Sequence, residues 1–300
     1  MNSSKLKTFL FFFILLALNA CAETEQPGYA NSTLIVFGDS LSDIGNARIA
    51  TSGIIPDKNY YNGRFSNGPN YVDQLAANLN ITINASRSFG SNYAFGGARS
   101  IEVNAQVSNY KENVESTANP EALYIVWSGG NDLIEILQNA DTSNTIDTAI
   151  AHIEDAIRKL SLIGATRILV PNQANLAYIP RLVELENTFP GIQTTATELT
   201  NQFNAALNAM LDRLTTEESI ITMRFDTFSL FAAIIANPSR YNLSNVTDRC
   251  YVRSNLSLEL SGDETICENP SAYLFWDDLH PSNTTHELIA NAIILLVGQQ

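Results

Sequence analysis

The chain has few of the residues that build metal and redox centres, since its 300 residues include only three cysteines and three histidines. No group of histidines and cysteines has the spacing of a metal site, which disfavours a metal-dependent hydrolase. The sequence also has no internal repeat and no low-complexity linker. One large domain over residues 23–300 is therefore the simplest prediction.

Basic residues are scarce as well, because 17 lysines and arginines face 31 aspartates and glutamates and leave a net charge of −14. Such a negative field repels nucleic acid and anionic membrane surfaces. We therefore expect no nucleic-acid partner and favour a neutral or zwitterionic substrate. Contact with a membrane surface is then expected to be transient and made through that substrate.

The longest uninterrupted apolar run, Phe9 to Leu18, follows Lys5 and Lys7 and is too short to span a bilayer. This pattern is typical of a signal peptide, which we assign to residues 1–22. The sequence Ala20-Cys21-Ala22 has the small-x-small pattern of ordinary cleavage, which predicts a secreted or periplasmic protein. Because Leu18 and Ala20 before Cys21 also resemble a bacterial lipoprotein box, an outer-membrane lipoprotein anchored at Cys21 is the alternative.

Export to an oxidising compartment predicts a disulfide between the two remaining cysteines, Cys250 and Cys267. A loop of this size contributes about 3 kcal/mol to stability in the chain-entropy picture. The loop includes the polar stretch Asp263-Glu264-Thr265, which a protease could reach. One hypothesis is that the loop covers the site until an activating protease cuts it. The alternative is a surface loop that is cross-linked only for stability.

Strand-like and helix-like patterns alternate along the chain. Apolar residues recur every three or four positions between Ile146 and Ile163, between Leu199 and Leu214, and at the C-terminal end of the chain. This alternation predicts a mainly parallel sheet covered on both faces, with the functional site at the carboxyl ends of its strands. The predicted strands are Thr33 to Phe37, Ala122 to Trp127, Arg167 to Val170 and Ile220 to Phe225, and the last helix is Glu287 to Val297.

Ser40 follows the first predicted strand, and a serine becomes a nucleophile only when a held base removes its proton. Of the three histidines, His152 lies on a position that the apolar stripe of its helix leaves exposed, and His286 has no carboxylate to orient it. His280 differs, because Asp277 precedes it by three residues and Pro281 follows it directly.

Proline favours a turn at His280. In such a turn the Asp277 carboxylate can accept from Nδ1 and leave Nε2 free to accept the proton of Ser40. Asp278 adjoins Asp277, and only the spacing of three favours Asp277 as the group that orients the histidine.

Acyl transfer also needs donors for the oxyanion. Two glycine turns offer them: Gly129-Gly130-Asn131-Asp132, after the strand that ends at Trp127, and Asn92-Tyr93-Ala94-Phe95-Gly96-Gly97-Ala98. Either turn alone is a weak signal, since glycine pairs usually mark nothing more than tight turns.

Together with Phe37-Gly38-Asp39-Ser40-Leu41-Ser42-Asp43 and Asp277 to His280, these turns form four blocks that resemble the GDSL family of SGNH hydrolases over the whole mature chain. The resemblance implies a flavodoxin-like three-layer α/β/α sandwich and a cofactor-free serine esterase. It implies a catalytic triad of Ser40, His280 and Asp277. The implied oxyanion hole consists of the Ser40 and Gly96 N–H groups and the Asn131 amide, with Gly97 as the competing glycine.

The resemblance further implies a lipid substrate, with a lysophospholipase or phospholipase A activity as the first choice. Carbohydrate or small esters and acyl transfer to a sterol are alternatives. A secreted binding module would be favoured by a missing nucleophile, base or oxyanion donor, and none is missing. No Gly-x-Ser-x-Gly sequence occurs, so the common α/β-hydrolase arrangement is not available.

Overall fold

A parallel sheet of four strands forms the centre of the structure, a computed structural model that describes residues 34–138, 143–253 and 264–298. All side chains of the first two strands are buried, as expected where helices cover both faces of a parallel sheet. The strands are adjacent in chain order: β1 Leu34–Gly38, β2 Leu123–Trp127, β3 Arg167–Pro171 and β4 Thr222–Phe225. The predicted signal peptide and Cys21 lie outside the described residues.

An extended segment, residues 91–95, runs parallel to β1 on the edge that β2 leaves open. The N–H of Tyr93 donates to the carbonyl of Val36 at 2.7 Å, and the N–H of Phe95 donates to that of Gly38 at 3.0 Å. If this segment is counted as the second of five strands in chain order, the spatial order is 2-1-3-4-5, which is that of the flavodoxin-like fold that the family resemblance implied. Ligands bind such sheets where the strand order reverses, here between β1 and β2.

The helices form two groups, in which α2 packs against α9 while α5 packs against both α3 and α7. With the sheet buried between them, they give the predicted α/β/α layers. The helices are α1 Asn46–Ala50, α2 Tyr71–Asn78, α3 Ser100–Asn113, α4 Gly130–Gln138, α5 Ile146–Leu162, α6 Pro180–Leu185, α7 Ile192–Glu218, α8 Thr227–Ala236 and α9 Asn283–Val297. Across the described ranges, none of the helices has the length and apolar character that a membrane span requires.

The last helix begins four residues before its predicted start at Glu287. Ser282 caps it, because the Ser282 hydroxyl accepts the N–H of Thr285 at 3.4 Å. The polar first turn carries none of the apolar periodicity that marked the rest of the helix. A capping residue fixes the start of a helix by binding backbone N–H groups, and the spacing of apolar residues carries no information about such a residue.

Two small sheets lie beside the main one, and the predicted disulfide between Cys250 and Cys267 is present in this region. Residues 254–263 of the loop, including Asp263, lie outside the described residues, so cleavage by an activating protease stays a prediction. The first small sheet pairs β5 Asn245–Arg249 with β8 Tyr273–Phe275 in parallel, and the second pairs β6 Tyr251–Val252 with β7 Thr265–Ile266 in antiparallel fashion.

Candidate active site

Ser40 lies in a tight turn directly after β1. The backbone carbonyl of Asp39 accepts the N–H groups of Ser42 and Asp43 at 3.1 and 3.0 Å. The side-chain carboxylate of Asp39 accepts the N–H of Leu41 at 3.0 Å. The Ser40 N–H has no hydrogen-bond partner among the described residues. The turn therefore fixes the Ser40 backbone and leaves its N–H available to a ligand.

Asp43 connects the turn that carries Ser40 to the glycine turn that contains Gly96 and Gly97. Its carboxylate accepts backbone N–H groups from Gly45 and Asn46 at 2.7 Å each, from Ala47 at 3.0 Å and from Gly96 at 2.9 Å. The Gly96 N–H, predicted to bind the oxyanion, is thus directed at a carboxylate instead. Spacing within the glycine pair could not predict this, because the acceptor is 53 residues away in the chain.

Gly97, the competing glycine, has a free N–H within the described part of the chain and a φ of 82°, a conformation that favours glycine. Gly96 is required for a different reason, since a Cβ there would lie 2.4 Å from the Phe65 ring. The centroid of the Phe65 ring in turn lies 5.1 Å from the centroid of the His280 ring. Gly96 therefore leaves room for an aromatic wall beside the histidine.

His280 lies between Ser40 and Asp277. Its Nε2 is 2.8 Å from Ser40 Oγ, and its Nδ1 is 2.7 Å from Asp277 Oδ2. The other Asp277 oxygen accepts the N–H of Leu279 at 2.8 Å, which holds the turn in place. All three side chains of this triad are buried. A carboxylate can only accept here, so the proton lies on Nδ1 and Nε2 faces the serine as the base.

The neighbouring carboxylate, Asp278, points elsewhere. Its Oδ2 accepts from Nε of Arg181 at 2.8 Å, and its carbonyl accepts the Arg181 N–H at 2.9 Å. The two adjacent aspartates therefore have different partners: Asp277 contacts His280, whereas Asp278 forms an ion pair with Arg181.

Burial and charge shift the pKa values of these groups in opposite directions. Burial acts to raise the pKa of Asp277, but His280 and a hydrogen bond from Tyr60 outweigh it and hold the pKa at about 2. Burial acts to lower the pKa of His280, and the Asp277 carboxylate more than reverses this, so the pKa is raised above its usual value. Burial also raises the pKa of Asp39 to about 6.

Asn131 lies in the first turn of α4, which begins at Gly130. One N–H of its side-chain amide donates to the carbonyl of Ala98 at 2.9 Å, which leaves the second N–H for a ligand. Gly129 has a φ of 120°, and a Cβ there would lie 2.2 Å from the Phe203 ring. The first turn of α4, with its unpaired backbone N–H groups and the positive end of the helix dipole, therefore lies at the site.

A largely apolar cavity opens beside these residues. Its polar end includes Ser40, His280 and Asn131, so the candidate nucleophile, base and oxyanion donor share one space. Most of the remaining wall is apolar: Leu41, Trp127, Ile134, Leu176, Ile179, Phe231, Phe275, Leu279 and Ile289. The cavity therefore has the composition of a pocket for an apolar group next to an ester-cleaving centre.

The two other histidines lie outside this cavity. His152 is half-buried rather than solvated, because α3 packs against its helix and brings Ser100 Oγ to 3.2 Å from its Nδ1. His286 is almost fully buried, stacks on Tyr71 and has no hydrogen bond to Nδ1 within the described ranges. Burial lowers its pKa to about 3, so it stays neutral.

Two residues of the site were missed in the sequence. Asp43 had only a weak signal, since Gly45 and not Asp43 occupies the N-cap position of α1, although the Asp43 carboxylate accepts N–H groups of its first turn. Tyr60 had none, because it lies in an irregular segment 217 residues from its partner, to which its hydroxyl donates at 2.6 Å. That partner is the Asp277 oxygen that also faces His280.

A serine joined through histidine to a buried aspartate, at the carboxyl end of the first strand of a flavodoxin-like sheet, defines a carboxylic-ester hydrolase of the SGNH type. The sequence model of the family described as GDSL-like Lipase/Acylhydrolase matches residues 34–293, and the chain belongs to this family.

The names of similar proteins agree with this class, and a solved structure shares the fold. The chain is 27% identical to a GDSL esterase/lipase of Arabidopsis thaliana, with 94% of this chain and 90% of that one covered. It is 25% identical to a phosphatidylcholine-sterol acyltransferase of Aeromonas hydrophila, with 98% of both chains covered. An acetylxylan esterase of Geobacillus stearothermophilus shares the fold, with a TM-score of 0.53 at 15% identity over 91% of this chain and 97% of that one.

Proposed function

We propose that the chain is an exported serine esterase that cleaves carboxylic esters of lipids, most favourably lysophospholipids and phospholipids. The observation that supports this choice is the apolar cavity that begins at Ser40 and His280. An acyl chain buried there would gain about 0.8 kcal/mol for each CH₂ group removed from water. A short acetyl group would leave most of that wall without contacts.

In the proposed reaction, Ser40 Oγ attacks the ester carbonyl while His280 Nε2 removes its proton. The Ser40 N–H and the free N–H of the Asn131 amide stabilise the negative charge on the carbonyl oxygen. The Gly97 N–H is a better candidate for a third donor than that of Gly96, which is bound to Asp43. His280 then gives its proton to the leaving alcohol, and water removes the acyl group by the same route.

The head group of the substrate is chosen on charge. The net charge of −14 opposes a net anionic ester, whereas a zwitterionic phosphocholine head group carries no net charge. Among the proposed lipid esters, lysophosphatidylcholine is therefore the first to test.

Acyl transfer to a sterol is the second candidate, favoured by the name of the relative from Aeromonas hydrophila, which covers 98% of this chain. In that case a sterol hydroxyl would replace water in the second half of the reaction. The same cavity and the same acyl-enzyme would serve both outcomes.

The test measures free fatty acid from lysophosphatidylcholine, and alcohol release from acetyl and decanoyl nitrophenyl esters, with and without cholesterol. The lipid proposal predicts higher kcat/KM for lysophosphatidylcholine and the decanoyl ester than for the acetyl ester, and no turnover by Ser40→Ala. Preference for the acetyl ester would contradict it. Cholesteryl ester formed in place of fatty acid would establish acyl transfer.

Export is part of the proposal and is tested separately. Cell fractionation should recover the mature chain outside the cytoplasm, beginning after Ala22. Incorporation of radiolabelled palmitate that is lost in Cys21→Ser would favour the anchored lipoprotein instead.

A further inference from the structure

The hydroxyl of Tyr60 donates to Asp277 Oδ2 at 2.6 Å, and His280 Nδ1 lies 2.7 Å from the same oxygen. Two donors therefore converge on one oxygen of a carboxylate that is almost fully buried. From this geometry we propose that Tyr60 is a positioning residue for catalysis, which holds the Asp277 carboxylate against Nδ1 of His280 and tunes the basicity of that ring. The proposal rests on ester hydrolysis at Ser40 and on no particular lipid.

Tyr60 is suited to donate rather than to accept. Burial raises the pKa of its hydroxyl, and the Asp277 charge raises it further, so the proton stays on the tyrosine oxygen. A hydrogen bond to the charged form of a carboxylate spreads its negative charge. Asp277 then attracts the imidazolium less strongly than an unbonded carboxylate would. Tyr60 thus limits how far Asp277 raises the pKa of His280.

The ring of Tyr60 is held from several sides. It makes edge-to-face contacts with Phe65, Tyr251 and Trp276 at centroid distances of 6.3, 5.7 and 6.4 Å. Phe65 is the same ring that lies against His280. The aromatic packing restricts Tyr60 before any substrate arrives, which is what a positioning residue requires.

The disulfide-linked hairpin of β6 and β7 anchors the segment that carries Tyr60. The Asn59 amide donates to the Tyr251 hydroxyl at 3.0 Å and to Glu264 at 2.7 Å. The Tyr251 hydroxyl donates to Asp57 at 3.2 Å, and Asp57 also forms an ion pair with Arg253. Tyr251 directly follows Cys250, so the cross-linked hairpin and the triad are joined through Tyr60.

Other titratable groups also face the Asp277 and His280 pair. The change of a single hydroxyl at position 60 leaves all of them in place, so a shift in the pH profile reports on Tyr60 alone. These groups are Asp39, Asp278, Arg181, Tyr251 and His286.

The test compares Tyr60→Phe with Tyr61→Phe on a short nitrophenyl ester. The control removes the hydroxyl of the adjacent, exposed Tyr61, and within the described chain this hydroxyl has no hydrogen-bond partner. We expect Tyr60→Phe to lower kcat roughly tenfold, with KM nearly unchanged. We also expect the acidic limb of its pH profile to move to higher pH, because the unbonded carboxylate raises the pKa of His280. Tyr61→Phe should match wild type in both respects.

A spectroscopic readout separates this proposal from the question of substrate. The proton shared by His280 and Asp277 should give a low-field proton NMR signal in wild type that is absent in Asp277→Asn. Tyr60→Phe should shift that signal even if no tested ester is cleaved. An unmoved signal and an unmoved acidic limb in a folded Tyr60→Phe variant, or a change in KM alone, would overturn the proposal.

Discussion

The molecule contains two networks of serine, histidine and aspartate, and they differ in the order of their hydrogen bonds. In the first, His280 lies between Ser40 and Asp277. In the second, Ser100 lies between the other two: its hydroxyl donates to Asp132 at 2.7 Å and lies 3.2 Å from Nδ1 of His152. Both serines are buried, with exposed fractions of 7% for Ser40 and 1% for Ser100.

The order decides what each serine can do. The Ser40 proton points at a neutral imidazole whose far nitrogen is held by a carboxylate, so proton removal produces a stabilised imidazolium. The Ser100 proton is directed at Asp132, whose carboxylate also accepts the Ser100 N–H at 2.9 Å and so caps the first turn of α3. Ser40 lines the cavity, whereas Ser100 does not. The three residue types therefore make a nucleophile only when the histidine is in the middle and a cavity reaches the serine.

The largest expected effect separates the two serines. Ser40→Ala should lower kcat by about 10⁴-fold or more, because no other group can form the acyl-enzyme. Ser100→Ala should leave kcat close to wild type and lower the free energy of unfolding by about 1.5–3 kcal/mol, since it removes a buried hydrogen bond to a carboxylate. Ester hydrolysis and urea denaturation measure the two quantities. Equal losses of activity in both variants would break the comparison.

The next effect separates the adjacent aspartates of the first network. Asp277→Asn should lower kcat by about 10³- to 10⁴-fold, because an amide can donate to Nδ1 and so hold the wrong tautomer of His280. Asp278→Asn removes only the partly exposed ion pair with Arg181 and should keep most of the activity. Steady-state kinetics of the two variants, with circular dichroism to verify folding, checks this contrast. A large kcat loss in Asp278→Asn would transfer the orienting role to that residue.

A smaller effect is expected at the oxyanion donor. Asn131→Ala should lower kcat by about 10²- to 10³-fold with little change in KM, because the amide acts on charge that develops only in the transition state. Asn104→Ala provides the matched control, since the Asn104 amide donates to the carbonyl of His152 in the second network at 3.1 Å. Its kcat should stay near the wild-type value. A rise in KM alone for Asn131→Ala would point to substrate binding instead.

The smallest effect is on the pH profile. His280 must be neutral to accept a proton, and its pKa is raised, so kcat/KM should fall as pH drops through a value above 6.5. His152→Gln should leave this acidic limb in place, because His152 belongs to the second network. A pH series of kcat/KM for wild type and His152→Gln tests both statements, and an acidic limb below 6.5 would contradict the first.

Much of the first network could be predicted from the sequence because its parts are local. Asp277 and His280 lie in one turn, Ser40 directly follows an apolar strand, and Asn131 follows another. A parallel sheet brings the ends of such strands to one edge, so four short stretches are enough to assemble the site. The same alternation of strand and helix predicts a parallel sheet but not the order of its strands, which only the family resemblance implied.

The remaining contacts depend on residues that are distant in the chain and have no local pattern. The Gly96 N–H and Asp43 carboxylate, the Tyr60 hydroxyl and Asp277, and the Ser100 hydroxyl and Asp132 are each brought together only by packing. His152 was predicted to be exposed because its helix was considered alone, whereas the neighbouring helix α3 covers that position. Periodicity along one helix reports its main buried face but not the polar contacts that a second helix adds.

The separation of 240 residues between Ser40 and His280 has a consequence for biosynthesis. At about 5–20 residues per second, a growing chain carries the serine for roughly 10 to 50 s before its histidine has been made. Throughout that time the serine has no base and cannot attack an ester. Activity then begins only when the turn that carries His280 has been made and has folded against Ser40, so the order of synthesis itself delays the enzyme.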